Sequence, residues 1–449
     1  MSGAPLVETD VRGSAPPGAK GAPSGFTWVR QEASATRGWI YRLVAVAISL
    51  AVAAVYLVAT VHTPDVLGLV LHDTFVSEPG VEELVVLATP FFLTALAVVL
   101  PLRVGLWNVG GEGQFFAGAW LATALAFAIP HGSGPLLIIG MLVAGAAGGA
   151  LWSVIPTLAK LYLNVSEVIT TLMLNFVILL WVDYWITGSW RYGSSQGGII
   201  ASRFIATAAH LPMIPLEGGL DSGIVIAVGI TLVVGIFLRY SGFGYRSLVA
   251  GSGSATAAFA GVRVRRVALA SMLLGGGLAG IGGVLQLAGN SYQLTPGLSN
   301  DTGYLGIAVA ALAGGSVTGV VLMSCVLAVL MSAGQAVQLY GVSSEDVFIV
   351  IGLLLLLSTA AEVASHNRLA WRGRPASAMD GLDGKGAPMA PMPALPGAEP
   401  VIAAPLRPPT GAATPAGEPA PAASSPASAP VLASAPAVAM PGETEERGV

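Results

Sequence analysis

Apolar runs of membrane-spanning length alternate with short polar segments along most of the chain, at 43–61, 84–102, 114–129, 135–156, 168–187, 223–238, 267–288, 317–337 and 347–361. A helix needs about 20 mainly apolar residues to cross the roughly 30 Å hydrocarbon layer, where the backbone must satisfy its own hydrogen bonds. Each run is therefore predicted as a membrane helix. The stretch 304–313 is too brief to span comfortably and reads as a short or broken tenth crossing. The expected fold class is all-α: a polytopic membrane helical bundle of about ten transmembrane segments, one of them short or broken, with disordered termini.

The ends depart from this pattern. Residues 1–37 are rich in Gly, Ser, Ala and Pro and lack the apolar core of a cleavable signal peptide, so they read as a disordered cytoplasmic leader. Residues 371–449 hold more than half of the chain's 30 prolines without a collagen-like period, a composition that neither continues a helix nor builds a core. They are expected to form a Pro/Ala-rich disordered cytoplasmic tail. The transmembrane domain lies between them, at 38–365.

Composition and charge sharpen the picture. Only 10% of the 449 residues are charged and 54% are hydrophobic, whereas a water-exposed surface carries roughly 25–35% Lys, Arg, Glu and Asp. A net charge of −4 gives no basic field for nucleic acid. Lys and Arg should gather in the cytoplasmic loops, and they alternate as required. Lys20, Arg30, Arg37 and Arg42, then Arg103, Lys160, the group Arg246, Arg263, Arg265 and Arg266, and finally Arg368, Arg372 and Arg374 fall on one side. The opposite loops 62–83, 290–301 and 338–346 contain neither residue. Only Arg191 and Arg203, in the loop 188–222, weaken the asymmetry. With the short crossing counted, both termini are cytoplasmic and the chain is a multi-pass protein of the cytoplasmic membrane.

Several chemistries are excluded. A Walker A loop needs a lysine followed by Ser or Thr among glycines, and none of Lys20, Lys160 and Lys385 is so followed. The single cysteine, Cys325, rules out an internal disulfide. No His-Glu-x-x-His pair is present for zinc. No metal site, catalytic residue or bound cofactor is expected. An ion-coupled secondary transporter would show paired intramembrane carboxylates or an inverted repeat, and Glu112 is the one candidate for a deep acid.

Three segments could carry transport. Pro101 and the glycines of 102–114 join two apolar runs, either as a broken helix that turns Asn108, Glu112 and Gln114 toward a pathway, or as a cytoplasmic turn with a solvated glutamate. A carboxylate at mid-bilayer costs about 2.5–3.5 kcal/mol, so depth decides between the two. Thr171 and Asn175 lie four apart on one helical face, and Asn175 could meet substrate or hydrogen-bond a neighbouring helix. In the basic loop 239–266, the small-residue stretch 254–261 has Ser254 placed to cap it, Ala257, Ala258 and the aromatic Phe259 within it, and Gly261 to stop it. It reads as a docking helix or as a loop that only sets orientation. The glycine groups Gly145, Gly148 and Gly149, and Gly275, Gly276, Gly277 and Gly280, are expected as close-packing helix faces.

These segments resemble a known family, the permease subunits of ATP-binding cassette importers for simple sugars and nucleosides, in particular the basic-membrane-protein-associated nucleoside branch. The likeness rests on Leu106-Trp107-Asn108-Val109-Gly110-Gly111-Glu112-Gly113-Gln114, on Ser166-Glu167-Val168-Ile169-Thr170-Thr171-Leu172-Met173-Leu174-Asn175, and on Gly303-Tyr304-Leu305-Gly306-Ile307-Ala308-Val309. Trp107 and Gly111 depart from the family pattern. The resemblance implies a permease that translocates a nucleoside, or a pentose sugar, by alternating access. It also implies a separate ATP-binding subunit holding the ATP and Mg, a second permease subunit that is homologous or identical, and an extracytoplasmic substrate-binding lipoprotein. Under it, Asn108, Glu112, Gln114 and Asn175 supply pathway polarity, and 254–261 is the helix that couples to the ATPase.

Overall fold

The computed structural model describes residues 25–30, 35–61, 65–192, 200–214 and 220–372. All lie within one compact unit, Met1–Ser377, while the second unit, Ala378–Val449, is outside the described residues, as is the expected tail beyond residue 372.

Each apolar run is a helix. They are α1 (Ala35–Thr60), α3 (Glu78–Leu102), α4 (Gly111–Ala128), α5 (Gly134–Leu163), α6 (Glu167–Thr187), α7 (Gly223–Tyr240), α10 (Val264–Gln286), α11 (Thr302–Leu312), α12 (Val317–Gln338) and α13 (Ser344–His366). Three short helices accompany them, α2 (Val66–Phe75), α8 (Gly242–Gly251) and α9 (Ser254–Phe259). Among the described residues, seven helices are long and apolar enough to cross a membrane. Two expectations change. α1 starts inside the segment read as leader, and that segment also holds β1 (Gly25–Arg30), paired antiparallel with β2 (Asn367–Arg372). The aromatic and β-branched content of Gly25-Phe26-Thr27-Trp28-Val29-Arg30 suits a strand. The bundle is thus helical, with this two-stranded pair as its exception.

α3 runs through the centre. From Val86 to Pro101 its residues are buried on every side, and Phe91, Leu93 and Leu96 belong to the same core cluster as Phe115 and Phe116 of α4. α5, α10 and α4 are drawn together by the glycines. A Cβ on Gly276 would stand 2.5 Å from the Gly149 carbonyl oxygen, and one on Gly148 would stand 2.6 Å from that of Ala117. Small residues allow backbones this close, and dispersion between them replaces the hydrophobic drive that lipid does not provide. Gly276→Val is expected to force α5 and α10 apart and lower the melting temperature of the purified chain, at a cost of about 1–3 kcal/mol or more. Gly229→Ala, where nothing stands within 4 Å, should leave it unchanged.

Candidate functional site

The α3–α4 connection is built around its polar side chains. α3 ends at Leu102, Gly105 turns the chain at φ +82°, the Leu106 amide closes the turn onto the Pro101 carbonyl at 3.1 Å, and residues 106–109 are irregular until α4 begins at Gly111. Asn108 lies along this irregular stretch and donates from Nδ2 to the Ala97 carbonyl at 2.9 Å and to Gln114 Oε1 at 2.8 Å. Its Oδ1 accepts from Gln114 Nε2 at 3.0 Å and from the Gly110 amide at 3.1 Å. Asn175, from the middle of α6, closes the other side: Oδ1 accepts from the Gly113 amide at 2.9 Å, and Nδ2 donates to the Val109 carbonyl at 3.0 Å. Two side-chain amides thereby supply partners that an interrupted helix leaves unfilled.

Glu112 joins this knot to α11. One carboxylate oxygen accepts from the Ser299 hydroxyl and the other from the Gly303 amide at 3.0 Å, in the first turn of α11. A carboxylate at a helix N-terminus meets free N–H groups and the positive end of the helix dipole. Glu112 is 3% exposed, so the alternative of a turn with a solvated glutamate is overturned. Close approach explains the glycines around it. A Cβ on Gly113 would lie 2.7 Å from Asn175 Oδ1, and one on Gly111 would lie 2.9 Å from the Gly303 carbonyl oxygen. Gly111 and Gly113 are helical, so they serve packing rather than interruption, and α4 begins three residues before the expected boundary.

The structure thus brings Asn108, Glu112, Gln114 and Asn175 into one buried junction of α3, α4, α6 and α11, with every side chain paired. Of the two roles open to Asn175, its bonds are those of helix packing. Ser299 and Gly303 belong to the same junction; Gly303 stands in the sequence only as part of the resembling motif and Ser299 carries no signal, because nearly two hundred residues separate them from Glu112 and no local spacing records the contact. Glu167 begins α6 and pairs with Lys160 at 2.8 Å.

The second candidate lies in the connection between α7 and α10. α9 spans Ser254–Phe259, and its N-cap is Gly253 at φ +137°, not Ser254 as expected, because the extended backbone there suits only glycine. Gly261 does end the helix. It adopts φ +65°, and Val262 donates to the Ala257 carbonyl at 2.9 Å, closing the last turn. Ala257 is buried, Ala258 is exposed and the Phe259 ring is 94% exposed.

At the other end of the bundle, the described parts of the loop 188–222 fold back onto the end of α10, with Ile205 and Leu211 amides donating to the Tyr292 and Ala288 carbonyls. Arg203, which weakened the charge asymmetry, lies 4.3 Å over the Phe127 ring. Burial, and after it the neighbouring Glu82, pushes the Asp221 carboxyl above its ordinary range, against the Gly223 amide that holds it down. A raised carboxyl disfavours the folded state once ionised, and this cost is lost as pH falls through its titration. Asp221→Asn retains an acceptor for Gly223, so it should melt above the parent at pH 8, with the gap closing toward pH 4.

The chain matches the family described as branched-chain amino acid transport system / permease component over residues 80–359. It is 31% identical over 333 residues to the glucose ABC transporter permease protein TsgB13 of Haloferax volcanii, covering 72% of this chain and 87% of that one. It is 32% identical over 277 residues to the guanosine ABC transporter permease protein NupP of Bacillus subtilis, covering 60% and 77%. To the nucleoside ABC transporter permease protein NupB of Lactococcus lactis it is 26% identical over 332 residues, covering 71% and 90%. No solved structure matches it.

Proposed function

We propose, on the premise that the chain belongs to the branched-chain amino acid transport system / permease component family, that it carries a nucleoside across the membrane as the permease subunit of an ATP-binding cassette importer. The chain is a transporter component, and its family works with ATP-binding and substrate-binding partners. The substrate reading is carried by one observation: two of the relatives above, NupP and NupB, are named for guanosine and nucleosides. A sugar is the second reading, favoured by the relative named for glucose.

Alternating access gives the four polar residues their part. α11 starts beside Glu112 and runs eleven residues to the turn before α12, on the order of 16 Å at the α-helical rise. That is about half the hydrocarbon thickness, so Glu112 sits near mid-membrane under the ten-crossing reading. Opening at this junction would exchange the partners of Asn108, Glu112, Gln114 and Asn175 for water or for the hydroxyls and ring nitrogens of a nucleoside. Alternation of basic loops supports ten crossings, with α11 the short one and both termini cytoplasmic. On that side α9, with Ser254, Ala257, Ala258, Phe259 and Gly261, is the contact for an ATP-binding subunit. ATP and Mg stay on that partner. A second permease subunit and a substrate-binding lipoprotein complete the assembly.

The test is competition. Uptake of labelled guanosine by the complete importer in proteoliposomes should be suppressed by excess unlabelled nucleosides and not by glucose or pentoses. Guanosine left outside while glucose enters would overturn the nucleoside reading in favour of the sugar.

A further inference from the structure

At the end of the bundle that carries the arginine-rich connection between α7 and α10, a groove of about 820 Å³ opens between α7 and α12. Its walls are apolar, with Leu232 and Ile236 on one side and Val317 and Val321 on the other. Its mouth is cationic: Arg103 and Arg239 both line it, and no carboxylate does. Arg103 Nε is buried without a hydrogen-bond partner, and among the described residues neither arginine forms an ion pair. The Arg42 guanidinium lies against Gly314, next to the groove residue Gly315.

A guanidinium nitrogen buried without an acceptor, as Arg103 Nε is, is costly unless an anion completes it. Here the missing anion adjoins a slot whose walls would face acyl chains. A second copy of the chain packed symmetrically on this groove would bring α7 and α12, and neither helix carries an acidic residue to answer the arginines. Basic pockets between membrane helices on the cytoplasmic side suit acidic lipid headgroups.

We propose that this groove binds an anionic phospholipid, with its phosphate at Arg103 and Arg239 and an acyl chain laid along Leu232, Ile236, Val317 and Val321. The site rests on the membrane-spanning reading and on the cytoplasmic placing of the arginine-rich loops, and is indifferent to which solute the chain carries.

The experiment is native mass spectrometry of the complete importer equilibrated with equal phosphatidylglycerol and phosphatidylcholine, paired with melting curves in each lipid. The wild type should retain phosphatidylglycerol preferentially. Retention should fall about fivefold for each arginine removed, in Arg103→Gln and Arg239→Gln, and the double variant should lose the preference. Gly235→Phe keeps both arginines while filling the groove, because a Cβ there already meets Val317 at 3.3 Å; it too should lose the bound lipid while melting normally in phosphatidylcholine. Equal retention of the two lipids by the wild type, or unchanged retention in the double and groove-filling variants, would overturn the proposal. So would inorganic phosphate raising the melting temperature as much as phosphatidylglycerol, or efficient cross-linking between copies of Ile236→Cys/Val321→Cys in a Cys325→Ser background.

Discussion

Glu112→Ala is expected to lower the stability of the chain by about 2–5 kcal/mol, because it strands two buried donors that each cost about 1–3 kcal/mol when unsatisfied. Those donors are the Ser299 hydroxyl and the Gly303 amide, and Glu112 is their acceptor in the junction of α4 with α11. The same change removes the negative charge from the start of α11. Glu112→Gln should cost much less. Its amide oxygen can accept from Gly303, and its NH2 can donate to Ser299 once that hydroxyl turns round. The pair of variants thus separates packing from transport. Melting curves should show a large loss for alanine and a small one for glutamine, and if the junction opens during transport the glutamine variant should still fold and yet import poorly. A glutamine variant with full uptake would confine Glu112 to holding α4 on α11.

Phe259→Asp is expected to abolish co-purification of the chain with its ATP-binding subunit while leaving insertion and melting temperature intact. An aromatic ring 94% exposed at the end of a six-residue helix contributes nothing to the core of its own chain. Aromatic anchors of this kind dominate interfaces, and losing one costs about 2–4 kcal/mol, or roughly thirtyfold to a thousandfold in Kd. An unpaired carboxylate in the same pocket adds a desolvation penalty. Gly261→Val should act in the same direction from the other side, since a β-branched residue at φ +65° is strained and would undo the turn that fixes the ring. Unaltered co-purification of both variants would remove α9 as the docking element.

The two regions differ in how much of them could be read from residues alone. The ten apolar stretches coincide with ten helices because hydropathy over a span-length window is a local property. α2 leaves no such signature, because ten residues between two loops carry too little apolar length to stand out. β1 and β2 pair across the length of the chain, and local composition cannot record such a partner. In the junction the residue types were legible and the bonds were not. Asn108 and Gln114 are six residues apart, yet Glu112 meets Ser299 across 187 positions and Asn175 reaches Val109 across 66. The glycines of 110–113 looked like a break, whereas two of them are helical and admit α6 and α11. In α9 the stop at Gly261 was readable from the αL preference of glycine, but Gly253 took the cap from Ser254 because the preceding backbone needs a positive φ.

Under the proposed function this bundle is a passive gate worked by nucleotide hydrolysis on another subunit. The most direct measurement is solute uptake into sealed proteoliposomes, with the chain and its substrate-binding partner reconstituted with and without the ATP-binding subunit, with internal ATP in both, and under an imposed proton or sodium gradient. Uptake that appears only when the ATP-binding subunit and ATP are both present, and ignores the gradient, is the predicted result. Accumulation driven by the gradient in its absence would contradict it.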